Sequence, residues 1–359
     1  MNATDSVLAL VRPDILALTP YSSARKESSG GCVWLDANEN PTTPSADSPS
    51  LNRYPEPQPA ALVTQLAALY SVASSSVLIT RGSDEGIDLL LRAFCRADRD
   101  AILITPPTYG MYAVAAAIQG ARVVTAPLLR ENNFALDSAA VLAAVAPGVK
   151  LVFLCSPNNP TGQLLDRAAI LAIVRALVGR AVVVVDEAYI DFAGTPSIAA
   201  ELTTNPNLVV LRTLSKAYGL AGARVGATLA APALIDVLQK IIAPYPVPTP
   251  VAQAALVALT PAGLATARES ITSIVSERRR LTAALPALPC VHCVWPGDAN
   301  FLLVEVTDVV RTMSAARAAG VILRDRSNDV PNTIRLTVGT PAENNLVLTI
   351  LASLPSRIG

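Results

Sequence analysis

The stretch Leu208 to Gly226, LVVLRTLSKAYGLAGARVG, decides how the rest of the chain is read. It opens with a short apolar run, Leu208 to Leu211, of the kind that forms a buried strand, and closes on glycines at 219, 222 and 226. Lys216 therefore stands just past the end of a buried segment and not on a solvated face. Two other runs end in a similar way. Ala181 to Asp186 reads AVVVVD and stops on a carboxylate, while Lys150 to Cys155 runs into Ser156-Pro157-Asn158-Asn159-Pro160-Thr161-Gly162. If these strands lie parallel, Lys216, Asp186 and Asn159 all project from their carboxyl ends, the edge at which open α/β sheets bind ligands. An amine, an acid and an amide would then share one crevice.

Outward from this centre, helical and strand patterns alternate. Strands are predicted at Val77–Thr80, Ala101–Thr105, Arg122–Ala126, Val149–Cys155, Ala181–Val185, Leu208–Leu211 and Ala227–Ala230, with helices between most of them. This implies an α/β fold, a mostly parallel seven-stranded sheet sandwiched by helices, with a smaller α+β domain. Residues 1–59 read as an N-terminal arm and part of the small domain, because Leu35 to Pro59 is rich in proline and turn-forming residues. Residues 60–250 make the large domain, which closes on Pro244-Tyr245-Pro246-Val247-Pro248-Thr249-Pro250, a run through which no helix continues. Residues 251–359 begin with one long helical stretch, Val251 to Leu285. They end in the small domain, with strands at Asn300–Val306 and Thr333–Val338 and helices at Val309–Ala319 and Ala342–Leu354.

Lysine plus arginine equals aspartate plus glutamate, 28 each, which removes any overall pull toward nucleic acid or anionic membrane. No apolar run approaches the ~20 residues that cross a bilayer. The start, MNATDSVLALVRPD, lacks the basic and apolar regions of a signal peptide. The expectation is a soluble cytoplasmic protein. The cysteines at 32, 95, 155, 290 and 293 are odd in number and scattered, as reduced thiols are. Cys290-Val291-His292-Cys293 is half a zinc site without a second pair, and His292 is the only histidine, so neither a metal site nor a histidine-based triad is expected. Catalysis needs another base.

Lys216 is the candidate. Desolvation and a neighbouring positive charge, which Arg224 would supply, lower a lysine pKa toward the free amine that attacks carbonyl groups. Taken alone, it also reads as a lysine snorkelling from a strand end. Asp186 follows four valines, and a carboxylate buried there is costly unless it is paired. Gly82-Ser83-Asp84-Glu85 opens a helix, whose first N–H groups and positive end suit an anion such as phosphate, although a plain N-cap has the same appearance. Two carboxylates so close to an anion are expected to turn away from it.

With Ser156 to Gly162, Asp186-Glu187-Ala188-Tyr189, Leu214-Ser215-Lys216, Arg224 and Gly82 to Glu85, the chain resembles the fold type I pyridoxal-phosphate aminotransferases. Among them it resembles the histidinol-phosphate branch. The likeness runs in order from Leu18-Thr19-Pro20-Tyr21 to Leu336-Thr337-Val338-Gly339. It implies pyridoxal 5'-phosphate as cofactor, with Lys216 joined to it as a Schiff base and Asp186 on its ring nitrogen. Tyr189 and Asn159 would meet its phenolic oxygen, and Tyr109 would stack on its face. Lys216, Asp186 and Tyr189 are thus the implied catalytic residues. The cofactor's phosphate falls to the helix end at Ser83, Asp84 and Glu85, to Ser215 and Arg224, and to Tyr54 reaching across from a second subunit. Substrate falls to Arg335, Arg324, Asn159 and, again from a second subunit, Tyr21, so a homodimer with shared active sites is implied.

The implied reaction moves an amino group between glutamate and imidazole-acetol phosphate in histidine biosynthesis. Residues 326–332 carry no likeness. Three other readings stay open: an aromatic aminotransferase, a threonine-phosphate decarboxylase with the same cofactor site, or a cofactor-binding regulator without turnover. For the last, no basic recognition helix is visible.

Overall fold

Strands that are apolar at every position, and not at every second one, must be covered on both faces. The computed structural model of the chain describes residues 3–21, 33–44 and 51–355, and it gathers six buried strands and one exposed edge strand into one sheet. These are β1 Val77–Thr80, β2 Ala101–Ile104, β3 Arg122–Thr125, β4 Val149–Cys155, β5 Val182–Asp186, β6 Leu208–Thr213 and β7 Gly226–Ala230. They stand in the order β1-β7-β6-β5-β4-β2-β3. Val183 and Val185 pack with helices Ala60–Tyr70 and Arg167–Ala176 on one face. Val182 and Val184 pack with helices Ser83–Phe94, Met111–Gln119 and Pro232–Gln239 on the other. Each fully buried valine contributes about 1.5–3 kcal/mol relative to exposure, and the edge strand β3, largely exposed, contributes least.

β2 to β6 run parallel, but β7 runs against both of its neighbours, pairing Gly226 with Thr80 of β1 and with Thr213 of β6. Because β7 is reversed, its first residue lies at the carboxyl rim of the other strands. A Cβ at Gly226 would stand 2.5 Å from the carbonyl carbon of Gly82 and 2.7 Å from the nitrogen of Ser83. Glycine at 226 is what lets the turn after β6 close against the helix that follows β1.

The helical stretch expected at Val251 to Leu285 is two helices, Thr249–Ala258 and Pro261–Ala284, bent by 70°. Pro261 offers no N–H to continue the first helix, and the Thr260 hydroxyl caps the second by accepting the Gly263 N–H. Among the described residues no single helix is long and apolar enough to cross a membrane. The second sheet is antiparallel, with β8 Val291–Val294, β9 Phe301–Val306, β10 Arg324–Asp325 and β11 Thr333–Thr337 in the order β10-β11-β9-β8. Of these, β8 and β10 are too short or too polar to be read from the sequence. At the other end, the N-terminal arm opens with two short helices, Ala3–Leu8 and Pro13–Leu16. Cys32 and the stretches 22–32 and 45–50 of the arm lie outside the described residues.

Candidate active site

The sheet register assembles the site. Cys155 of β4, Asp186 of β5 and Leu211 of β6 lie side by side, so the segments leaving these strands deliver Asn159, Asp186 and Lys216 to one rim. The rim opens on a cavity of about 530 Å³ lined by Ser83, Asp84, Tyr109, Asn159, Asp186, Tyr189, Ser215, Lys216 and Arg224, by Arg324 and Arg335 from the second sheet, and by Arg326 just past β10. Arg278 ties the two halves together behind it, donating to the carbonyls of Phe192 and Ala299 at 3.3 and 2.7 Å.

Asp186 is only 2% exposed. Its carboxylate accepts from the Tyr112 hydroxyl at 2.8 Å and from the Ala188 N–H at 3.1 Å. Burial nevertheless outweighs these bonds and pushes its pKa up to about 6. Lys216 extends into the cavity, its ammonium 5.8 Å from the centroid of the Tyr189 ring. Desolvation, and then the positive charges of Arg335 and Arg224, hold its pKa below the ordinary lysine value. Both groups are thus biased toward their neutral forms, an acid lacking a cation and an amine lacking an anion.

At the helix end, no side chain caps Ser83–Phe94, whose first turn faces the cavity at Ser83 and Asp84. Gly82 has a φ of +76°, and a Cβ there would meet the Arg224 guanidinium at 2.6 Å, so glycine leaves room for the arginine against the loop. Arg224 donates to the Ser215 hydroxyl at 3.2 Å and to Asp84 at 3.0 Å, and Tyr109 donates to the other Asp84 oxygen at 3.0 Å. The expectation that both acids turn away therefore holds for one of them. Glu85 leaves the cavity to bind the Arg81 side chain and N–H, which leaves only its backbone for a role there. Asp84 points inward because a guanidinium and a phenol both offer it donors.

On the opposite wall, Arg335 donates to Asn159 Oδ1 at 2.6 Å, and Asn159 Nδ2 donates to the Tyr189 hydroxyl at 3.3 Å. Phe301 buttresses both, edge-on to Tyr189 at 5.1 Å and beneath the Arg335 guanidinium at 5.2 Å. Tyr54 and Tyr21 do not line the cavity; they are 50% and 72% exposed, and Tyr54 stacks on Tyr245 at 4.5 Å. Cys290, from the suspected half zinc site, is buried with its thiol against the Leu351 carbonyl. Sequence reasoning overlooked two residues. Tyr112 sits three residues after Tyr109 on an apolar helix, and a buried tyrosine there needs a partner for its hydroxyl, which was the available signal. Arg326 gave none, lying outside the motifs that carry the resemblance.

A family described as aminotransferase class I and II matches residues 30–351. The chain belongs to this family. Within it, the chain is 49% identical to the histidinol-phosphate aminotransferase of Stenotrophomonas maltophilia, over 98% of this chain and 99% of the relative. Among solved structures, the histidinol-phosphate aminotransferase from Sinorhizobium meliloti, in complex with pyridoxal-5'-phosphate, matches with a TM-score of 0.76 at 26% identity, covering 84% of this chain and 83% of that one. The L-threonine-O-3-phosphate decarboxylase from Porphyromonas gingivalis matches with a TM-score of 0.71 at 25% identity, covering 84% and 90%. The fold is thus common to enzymes with different outcomes, whereas the near-half identity is with a histidinol-phosphate aminotransferase.

Aminotransferases of this family use pyridoxal 5'-phosphate, and the residues fit it. A buried carboxylate with no cationic partner among the described residues suits a protonated ring nitrogen. An uncapped helix end beside Ser215 and Arg224 suits a phosphate. A lysine held below its usual pKa suits an aldehyde.

Proposed function

We propose that this aminotransferase moves the amino group between glutamate and imidazole-acetol phosphate, interconverting them with 2-oxoglutarate and L-histidinol phosphate for L-histidine biosynthesis. One observation carries the choice of substrate. Arg324 and Arg335 stand directly opposite each other across β10 and β11, at the wall of a cavity that also holds Lys216 and Asp186. Two planar guanidinium groups can grip a phosphate dianion bidentately.

When bound, pyridoxal phosphate supplies an aldehyde carbon and a cationic ring that withdraws electrons from the substrate's α-carbon. Asp186 would keep the ring nitrogen protonated, oriented by Tyr112 and the Ala188 N–H. Tyr189 and Asn159 would donate to the ring's oxygen, and Tyr109 would cover one face. Ser83, Ser215 and Arg224 would hold the cofactor's phosphate, with Asp84 bracing Arg224. Lys216 Nζ, biased toward its neutral form by desolvation and by the charges of Arg335 and Arg224, would take the α-proton and return it one carbon away as a single general base. Asn159 and Arg335, already hydrogen-bonded to each other, would receive the substrate's polar end. The exposed rings of Tyr54 and Tyr21 suit a homodimer, acting in the cytoplasm, in which each subunit completes its partner's site.

The test is a substrate panel with and without the phosphate ester, on wild type and Arg335→Ala. Each charge-assisted hydrogen bond to a phosphate contributes about 1.5–3 kcal/mol, so two of them give the wild type a preference of at least ~100-fold for histidinol phosphate over histidinol. That preference should collapse in Arg335→Ala. A wild type indifferent to the ester would refute the substrate assignment, and carbon dioxide release without an amino acceptor would turn the reading to a decarboxylase.

A further inference from the structure

The hairpin that carries Arg324 brings a third guanidinium to the same cavity. Side chains two residues apart on a strand share a face, and the Arg326 N–H donates to the Thr333 carbonyl at 2.9 Å, extending the β10–β11 ladder by one step. Arg326 therefore follows Arg324 onto the cavity wall, beside Arg335. Like charges opposed across a ladder are destabilising, yet Arg324 and Arg335 have no carboxylate partner among the described residues. Arg326 has one. Its Nε lies 3.0 Å from Asp329 Oδ2, although off line for a hydrogen bond. The Arg335 Nε is likewise buried without a partner. Arg335 is held below the ordinary arginine pKa by burial first and then, against the opposing pull of Tyr189, by the charges of Arg326 and Arg324.

We propose that Arg326 sets specificity, joining Arg324 and Arg335 in an anion pocket matched to a dianionic phosphate ester and overcharged for a single carboxylate. Three guanidinium groups less the Asp329 carboxylate leave two positive charges, which a phosphate ester of about −2 neutralises. The side-chain carboxylate of glutamate offers only half of that, so Arg326 is redundant for the amino donor and needed for the phosphorylated substrate. This inference rests on reading the cavity as the aminotransferase site, and it commits to a residue outside the motifs that carry the resemblance.

The probe is inorganic phosphate, used on the cofactor-loaded enzyme as an inhibitor of the glutamate half-reaction and followed by the cofactor spectrum. In Arg326→Ala the phosphate inhibition constant should rise about tenfold, equivalent to 1.4 kcal/mol, with Arg326→Lys recovering part of the loss. The dissociation constant for histidinol phosphate should rise in parallel. That for glutamate, and the visible absorbance of the bound cofactor, should stay close to wild type. An unchanged phosphate constant, or an equal loss for glutamate, overturns the role of Arg326. A wild type that phosphate inhibits but that does not prefer histidinol phosphate to histidinol overturns the functional reading instead, and the phosphate constants of the two proteins still decide the case of Arg326.

Discussion

Replacing Asp186 by asparagine should stabilise the cofactor-free protein at neutral pH while weakening its hold on the cofactor. The carboxyl titrates at 3.8 when free and at about 6 in the folded chain, where it is buried. Above 3.8 the unfolded chain has released this proton while the folded chain retains it up to about 6. The folded state thus binds more protons throughout that window, and stability falls as pH rises across it. Two pKa units at 1.36 kcal/mol each amount to about 3 kcal/mol of destabilisation at pH 7.5. Asparagine removes that penalty but loses about 1 kcal/mol from one of the two hydrogen bonds the carboxylate accepts. The net gain is about 2 kcal/mol, which at ~2.1 cal/mol/K per residue is ~3 °C in Tm for a chain of this length.

Near pH 4.5 most of the penalty has vanished from the wild type, and the two proteins should melt together. Thermal unfolding of both cofactor-free proteins by circular dichroism at pH 4.5 and 7.5 gives the comparison. With cofactor the order should reverse, because asparagine cannot pair with a protonated ring nitrogen; affinity should fall by about tenfold or more, measured by absorbance. If the asparagine variant gains nothing at pH 7.5, or keeps the same margin at pH 4.5, the buried carboxylate is not the unpaired charge described here.

Tyr112→Phe acts on the same carboxylate from behind. Removing the 2.8 Å donor should raise the Asp186 pKa further, and the pH at which bound cofactor is released on acidification should move up by about one unit; an unmoved midpoint in a spectrophotometric titration would count against it. Gly226→Ala forces a methyl group within 3 Å of the backbone of Gly82, Ser83 and Arg212, and should cost about 3 kcal/mol or more together with cofactor affinity. Gly222→Ala, where nothing lies within 4 Å of the added Cβ, is its control. Equal melting and equal cofactor binding for the two alanine variants would show that the rim tolerates what its geometry forbids.

Much of the site was legible before any coordinates because its residues sit where strands stop. β5 and β6 are read from unbroken apolar runs, and each run names the polar group at its end, Asp186 directly and Lys216 three residues past Thr213. Side-chain direction was not legible. Glu85 and Asp84 are adjacent, alike in charge and on the same helical turn, yet one leaves the cavity and the other enters it according to where Arg81 and Arg224 lie. Nor was β10 legible, since a two-residue strand of Arg324 and Asp325 has no apolar pattern; only pairing with β11 makes it a strand and turns its arginine toward the cavity.

By itself the sequence determined the alternation of strands and helices, the parallel core and the kinds of chemical group at its carboxyl edge, because periodicity and chain breakers act over a few residues. The tertiary structure alone decided that β7 is reversed between β1 and β6. That reversal brings Arg224 against the helix end at Gly82, across some 140 residues of chain. It also decided that Tyr112 stands behind Asp186 and that three arginines share one wall. Those are contacts between distant segments, and no local preference records which distant segment will be there to answer a buried charge.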